Sequence, residues 1–198
     1  MAIVGCSYVK GGIYNNNNGV ITYSSQTVIA KLVRMNITLD DSQDNDFFAD
    51  NAVDETDSTF AGGTYEIVTN DLTDAMSALI LGLQENALTG ITGVTDTGVK
   101  EVIFDDRQNT PYMGIGNVVK HKRGGSFVYT AIVLTKIQFK TPADAWETQG
   151  KNISWQTPTV RATIMKDDST HHTWKQIATF TTEAQAVAYI DARLPSAA

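Results

Sequence analysis

The sequence predicts a mainly β fold with one or two flanking helices, an α+β arrangement in which the sheet dominates. Two observations carry this prediction. Most apolar residues lie in short runs that alternate with polar residues and end at glycine or asparagine turns, as half-buried strands do. Two other segments repeat their apolar residues at helical spacing. With 198 residues the chain is long enough for a sizeable core, and we expect residues 1–198 to form a single domain.

Two hairpins are predicted from their turns. The first joins residues 7–14 to residues 20–23 through a run of asparagines that ends in Asn-Gly. Both residues of that dipeptide tolerate positive φ, which tight hairpin turns require. The second hairpin joins residues 112–121 to residues 127–139 through Lys-Arg-Gly-Gly at 122–125. These two hairpins should form the centre of the sheet.

Four more strands are predicted, at residues 28–39, 151–155, 159–165 and 174–180. The strand at 127–139 is apolar on both faces for half its length, which places it between two packed layers. Strict alternation along that strand predicts one face made of Phe127, Tyr129, Ala131, Val133, Ile137 and Phe139.

Two amphipathic helices are predicted. The first has Asp71 or Thr73 as its N-cap, and the second follows a capping box made by Thr182 and Gln185. The apolar stripe of the first helix is Leu72, Met76, Leu79, Ile80 and Leu83. The stripe of the second helix is Val187, Ile190 and Leu194. Because each helix has a single apolar face, each should lie on a sheet.

The charge of the chain is unevenly distributed. The formal net charge is −7, and no lysine or arginine occurs between Arg34 and Lys100, a stretch that holds thirteen acidic residues. A protein with a net negative charge is poorly suited to bind a nucleic acid through its phosphate groups, because that binding requires many lysine and arginine side chains. Residues 40–59 and 85–97 show no regular apolar period. The first of these segments is long for an unstructured loop, so we expect an acidic arm that orders against a partner.

A calcium site in the acidic arm is disfavoured. Asp44, Asp46, Asp50 and Glu55 match positions one, three, seven and twelve of an EF-hand loop. However, Phe48 stands where the loop needs a ligand, the next residue is alanine instead of glycine, and the flanks are predicted strands. No metal ligand set is therefore predicted here.

No constellation of residues indicates catalysis. Phosphate loops, nucleophile elbows and dinucleotide fingerprints do not occur in the sequence. Cys6 is the only cysteine, and it suits a small buried hydrophobe better than a nucleophile. His171 and His172 are adjacent and would point apart on a strand, while residues 105–107 (Asp-Asp-Arg) are typical of a charged turn. We expect a protein that is not an enzyme and has no cofactor.

Several stretches of the chain, in order, are similar to one known family, the siphophage major tail proteins. The stretches are Met1–Lys10, Asp50–Asp54, Phe60–Thr64, Glu101–Arg107, Pro111-Tyr112, Gly114–Gly116, Thr148–Gly150, Ile153, Trp155–Pro158 and Ala162–Met165. Together they run from the first residue to Phe180. Gly11-Gly12 and the asparagine run depart from the family pattern, but they lie in a hairpin, where variation costs little.

The resemblance implies a β-sandwich or barrel-like phage tail tube fold with long extended loops and a helix on its flank. It implies a structural virion protein of the tail, made and assembled in the cytoplasm of a bacterial host. Six copies would form a ring, and stacked rings would conduct DNA through their lumen without binding it specifically. The implied partners are other copies of the chain, the tape measure protein, the tail tip or baseplate and the tail terminator. No membrane partner is expected.

Within this picture the acidic arm is predicted to contact other subunits or rings. The predicted contact residues are Asp44, Asp46, Phe47, Phe48, Asp50, Asn51 and Asp54. Two alternatives remain open. One is a monomeric β-sandwich module that binds carbohydrate through Trp146, Trp155 and Trp174, and the other is a tube subunit of a secretion system or tailed bacteriocin.

Overall fold

The computed structural model describes residues 2–40, 45–49, 52–57, 60–93, 98–143, 148 and 157–196. The strands are β1 Ala2–Asn17, β2 Val20–Ala30, β3 Leu32–Leu39, β4 Asn45–Ala49, β5 Ala52–Asp57, β6 Gly63–Thr69, β7 Gln84–Ala87, β8 Lys100–Ile103, β9 Tyr112–Arg123, β10 Ser126–Phe139, β11 Thr159–Met165 and β12 Lys175–Phe180. The helices are α1 Asp74–Leu81 and α2 Glu183–Arg193. The predicted mainly β fold with flanking helices is confirmed.

One large antiparallel sheet organises the fold. Its order is β2-β1-β9-β10-β11-β6-β3, and β12 also pairs with β10. The sheet curls until β3 lies beside β1, although no ladder joins these two strands in the part of the chain that the structure describes. Across the curl, the Tyr65 hydroxyl of β6 donates a 2.7 Å hydrogen bond to the Asn117 side-chain oxygen of β9. Burial raises the pKa of Tyr65, so its hydroxyl stays protonated and keeps donating.

Both predicted hairpin turns are confirmed. Asn18 and Gly19 have φ of 53° and 85° between the paired residues Asn17 and Val20. Gly124 and Gly125 likewise have φ of 55° and 88°. Two consecutive residues with positive φ give a turn whose twist matches the twist of the strands, so the register of both hairpins is fixed by the turn.

The predicted strand at 28–39 is in fact two strands. Lys31 separates them, because β2 pairs with β1 whereas β3 pairs with β6. Asn70 holds this corner: its backbone N–H donates to the Lys31 carbonyl at 3.0 Å, and its side-chain oxygen accepts from the Lys31 N–H at 3.1 Å. The corner therefore carries the chain from one part of the sheet to another without an unpaired backbone group at Lys31.

The single face predicted for β10 is wrong beyond its midpoint. A bulge between Leu134 and Ile137 places one extra residue on β10 opposite β9. An extra residue reverses the alternation, so odd-numbered residues change face at that point. Ala131 and Val133 lie in one core and Ile137 in the other, together with Leu134. The prediction that β10 lies between two packed layers is confirmed.

The two cores lie on opposite faces of the sheet. The main core, inside the curl, consists of Val9, Ile29, Tyr65, Ile67, Ile80, Leu81, Met113, Ile115, Leu134, Ile137, Phe139, Val160, Ala162 and Ile164. The helix-side core consists of Tyr14, Tyr23, Val118, Ala131, Val133, Ala186, Ile190 and Leu194. Burial of a large aliphatic side chain stabilises the fold by about 1.5–3 kcal/mol, so both faces of β10 contribute to stability.

Both helices occur where the spacing predicts them. Thr73 is the N-cap of α1, and Thr182 is the N-cap of α2, where its hydroxyl accepts from the Gln185 N–H at 3.3 Å. The Gln185 side chain contacts the Thr181 hydroxyl, so only the forward half of the capping box forms. The buried residues of α1 are Ala78, Ile80 and Leu81. Of the predicted stripe, Ile80 is buried and Leu72 and Leu83 are half-buried against the main core. The buried residues of α2 are Ala186 and Ile190, followed by Leu194 at the C-cap.

Five strands were not predicted. β6 begins at a Gly-Gly pair and is buried on both faces, so it has no alternation to detect. Within the acidic arm, β4 and β5 pair with each other as an antiparallel hairpin, and the segment at 85–97 contributes to a second small sheet of β7 and β8. These two segments are therefore not the irregular loops that their lack of period indicates. The strand predicted at residues 151–155 lies outside the described residues.

Candidate assembly surfaces

The large sheet has outer strands with little covering. β3 and β12 each have one ladder neighbour in the described chain. β2 is partly covered by the C-terminal segment, because the Tyr23 N–H donates to the Pro195 carbonyl at 2.8 Å and the Gln26 amide donates to the Leu194 carbonyl at 2.6 Å. An uncovered edge strand offers backbone donors and acceptors to another strand. The outer edge of β12 is therefore suited to contacts with another chain, whereas the outer edge of β3 lies beside β1.

An apolar face extends from the main core towards the turn between β9 and β10. Ile3 pairs with His121, which pairs with Val128, while Ile132 pairs with Ile177 on β12. Directly paired residues share a face, and Val128 and Ile132 share the face of Leu134, which lies in the main core. Ile3 is 72% exposed and Ile177 is 55% exposed. We call Ile3, Val128, Ile132 and Ile177 the apolar face.

The acidic arm leaves the sheet between β3 and β6. Leu39 is the last residue of β3 and pairs with Gly63, and the Asp40 N–H donates to the Gly62 carbonyl at 3.1 Å. Of the predicted contact residues, Asp46, Phe47 and Phe48 lie in β4 and Asp54 lies in β5. Asp44, Asp50 and Asn51 lie outside the described residues. The predicted grouping of these residues as a contact site stays a prediction.

The turn between β9 and β10 carries a cluster of positive charge that was not among the predicted sites. Lys122 and Arg123 are exposed, and the Lys120 ammonium lies 4.1 Å from the centre of the Phe127 ring. No carboxylate of the described residues lies within 4 Å of these three cations. We call Lys120, Lys122 and Arg123 the basic tip. The signal for it was the run Lys-His-Lys-Arg directly before Gly-Gly.

A polar network anchors the connection between β11 and β12 to the rest of the sheet. The Tyr14 hydroxyl donates to the Asp168 carboxylate at 2.8 Å, and the Lys136 ammonium lies 2.8 Å from the same carboxylate. Burial, together with the nearby Asp168, raises the pKa of Tyr14 to about 12. Hydrogen bonding from Lys136 lowers the pKa of Asp168, which therefore stays ionised near neutral pH. The network anchors the connection that leads into β12, whose outer edge has no ladder partner among the described residues.

The predictions about candidate chemical sites have mixed outcomes. His171 and His172 are exposed in the β11–β12 connection, and Asp105 pairs with Arg107 in a turn before β9, as the charged-turn interpretation predicts. Among the described residues, no three His, Cys, Asp or Glu side chains are placed to hold a metal ion. Trp174 stacks on Phe60 with ring centres 4.2 Å apart, so one of its faces is covered. Trp146 and Trp155 lie outside the described residues.

Cys6 lies half-buried on β1, and burial raises the pKa of its thiol. The thiolate is the reactive form, so a raised pKa leaves less of it at a given pH. At pH 8 we expect Cys6 to react with an aromatic disulfide reagent roughly fivefold or more slowly in the folded protein than in the unfolded chain. The folded rate should continue to rise beyond pH 9. Equal rates in the two states would contradict the burial seen here.

No helix in the described part of the chain is long and apolar enough to cross a membrane. Comparison with protein-family models gives no match to this chain, and comparison with curated proteins gives none either.

Proposed function

We propose that the protein is the major tail tube subunit of a long-tailed phage, a structural protein whose copies form rings that stack into a DNA-conducting tube. The observation that carries this proposal is the apolar face beside the outer edge of β12, an edge with no ladder partner in the described part of the chain. A sheet that leaves Ile3 and Ile177 more than half exposed is suited to burial against another copy.

Two further features support the same proposal. Val33 and Leu39 of β3 are also exposed apolar side chains, at 54% and 46%. Burial against another copy would remove them from water. The net charge of −7 suits a channel that lets DNA pass, because attraction to phosphates would slow its transit.

Electron microscopy of the purified protein tests the proposal directly. We expect rings or tubes with a central channel at high protein concentration, or after addition of purified tail-tip complex as an initiator. Light scattering on the same sample should report large particles. A protein that stays monomeric even with the tail-tip complex would overturn the proposal.

A substitution in the apolar face provides a sharper version of this test. Ile177→Lys places a charge where the neighbouring copy would bury an apolar side chain, so assembly should fall at least tenfold. The circular dichroism of the variant should be unchanged, because Ile177 is already exposed. Val99→Lys is the control, since Val99 is also an exposed β-branched aliphatic residue that is changed to lysine, but it lies next to β8, outside the large sheet. Equal assembly of both variants would argue against the apolar face as the interface.

The carbohydrate-binding alternative has less support. Among its three tryptophans only Trp174 lies within the described residues, where Phe60 stacks on one face of its ring, the Lys175 ammonium lies 5.7 Å from the ring centre and the side chain packs against the main core. A sugar platform needs an open aromatic face. Specific binding on a glycan array by a monomeric protein would favour this alternative. A tube subunit of a secretion system or tailed bacteriocin would give the same microscopy result, and neighbouring genes would distinguish it.

A further inference from the structure

Two consecutive segments of the chain carry opposite charge. Residues 71–106, which include α1, β7 and β8, hold seven acidic residues and one lysine. Residues 107–143, which include the hairpin of β9 and β10, hold six lysine and arginine residues and no acidic residue. Three of these six cations form the basic tip. Complementary charged surfaces steer association and fix which surfaces meet.

An apolar cleft opens between α1, the start of β7 and the segment that leads into β9. Its volume is about 500 Å³. Its lining includes Ile13, Ala78, Leu79, Leu83, Asn109 and Pro111, together with Glu85. Asp74 lies one helical turn before Ala78, and Asp106 lies three residues before Asn109, so two further exposed carboxylates flank the lining. We call this the α1 cleft.

The α1 cleft and the basic tip lie at opposite ends of β9. Pro111 of the cleft directly precedes Tyr112, the first residue of the strand, whereas Arg123 of the tip is its last residue. The Thr110 hydroxyl donates to the Leu81 carbonyl at 3.3 Å, which holds α1 at this end. The 12 residues of β9 separate the two ends by about 37 Å at the usual rise per residue. The tip therefore cannot enter the α1 cleft of its own chain.

The tip carries an aromatic side chain that suits an apolar cleft. Phe127 is 44% exposed, and the Lys120 ammonium lies 4.1 Å from the centre of its ring. Aromatic side chains that fill a pocket on the partner are frequent anchors of protein contacts. In the cleft, Glu85 pairs with Lys100 at 2.6 Å, and the lysine side chain is 60% exposed. Such a surface pair is weak, so it leaves the cleft open to a cation from outside.

We propose that the basic tip of one copy inserts Phe127 into the α1 cleft of the next copy, where the cations of the tip meet the carboxylates around the cleft. This inference rests on the proposed function, because the occupant of the cleft is a second copy of the chain. The two surfaces differ, so the contact is heterologous and repeats from copy to copy in one direction. It joins copies end to end along β9, whereas the apolar face joins them beside the edge of β12.

Cross-linking between single cysteines tests this contact at high protein concentration. In a Cys6→Ala background, unlabelled Ser126→Cys protein is mixed with ¹⁵N-labelled Asn109→Cys protein and treated with a short bismaleimide. Each copy then has one cysteine, so a mixed-isotope peptide reports a link from a tip to the cleft of another copy. We expect this link at least about tenfold more often than the link to Asn36→Cys, because a docked tip holds its cysteine beside position 109.

Asn36→Cys is the matched control for the cleft position. Asn36 and Asn109 are both exposed asparagines, but Asn36 lies on β3 and does not line the α1 cleft. Equal link yields at the two positions would overturn the inference.

Charge reversal of the tip gives a second comparison. Lys122→Glu combined with Arg123→Glu in the unlabelled protein should lower the tip–cleft yield roughly tenfold, since attraction becomes repulsion. Lys166→Glu combined with Arg193→Glu is the control, with the same change in net charge. This lysine and this arginine are also exposed, but they neither belong to the tip nor line the cleft. Equal yields from the tip variant and its control would overturn the inference.

Reversal of both surfaces should restore the contact. When the tip variant is mixed with a cleft variant, Asp74→Lys combined with Asp106→Lys, the tip–cleft yield should return towards that of the unreversed pair. The yield from the unreversed pair should fall between about 0.05 M and about 0.5 M salt, because salt screens exposed charges. A yield that stays low when both surfaces are reversed would count against pairing between these two sets of charges.

Three other outcomes separate the inference from the proposal beneath it. If wild-type protein forms tubes but the tip–cleft link does not exceed its control, the inference fails and the proposed function stands. If wild-type protein forms no assembly even with the tail-tip complex and no link appears, both fail. Binding of a double-stranded oligonucleotide that the tip variant loses, without tip–cleft links, would assign the basic tip to nucleic acid and overturn the inference.

Discussion

Ile190→Ala should lower the free energy of unfolding by about 2–5 kcal/mol, the largest loss that we expect from a single truncation in the helix-side core. Ile190 is fully buried, and its side chain lies directly on Gly116 of β9. Removing it leaves a cavity between helix and sheet at the point where α2 contacts the strands most closely. Denaturant unfolding followed by tryptophan fluorescence measures the change.

Ile177→Ala is the matched control for this truncation. The same atoms are removed, but Ile177 is 55% exposed on β12, so the loss should stay below about 1 kcal/mol. Under the proposed function, Ile177→Ala should also weaken assembly, although its effect on the free energy of unfolding is small. If both variants lost a similar amount of the free energy of unfolding, the position of α2 against the sheet would be contradicted.

Gly114→Ala should destabilise the protein by about 1–3 kcal/mol through overpacking. A Cβ at this position would lie 2.2 Å from the Tyr23 ring and 2.8 Å from a Leu194 methyl group. Neither neighbour can move freely, because both are buried and the Tyr23 hydroxyl donates a 2.9 Å hydrogen bond to the Thr135 carbonyl. Thermal unfolding by calorimetry provides the measurement.

Gly5→Ala controls for the change of residue type. Gly5 also lies in a strand of the large sheet, but a Cβ there would meet nothing within 4 Å. Its replacement should change the free energy of unfolding by less than about 0.5 kcal/mol. If Gly114→Ala were equally neutral, the close contact of Tyr23 and Leu194 with β9 would be wrong.

The elements that the sequence predicted well are those whose signal is local. The Asn-Gly and Gly-Gly turns fix their hairpins through backbone conformation alone, and Thr73 and Thr182 mark helix starts through one hydrogen bond each. The strands that it missed depend on distant partners. β6 forms because β3 and β11 pair with its two edges, and nothing within its seven residues shows those partners.

The candidate surfaces likewise differ in whether their signal is local in the sequence or depends on distant strands. The acidic arm could be predicted because its charged residues lie close together in the sequence. The basic tip could have been predicted in the same way from the run Lys120–Arg123. The apolar face was not predictable. Ile3 and Ile177 lie far apart in sequence and share a face only through the ladders of β9 and β10. The bulge before Ile137 could not be predicted from the alternation of apolar and polar residues. One extra residue moves every later side chain of β10 to the opposite face of the sheet.

The position of β10 between two cores has a consequence for how the molecule unfolds. The strand contributes Val133 to the helix-side core and Leu134 and Ile137 to the main core, so the two cores share it. Neither core can lose β10 without disturbing the other, and we therefore expect the large sheet and α2 to unfold in a single cooperative transition.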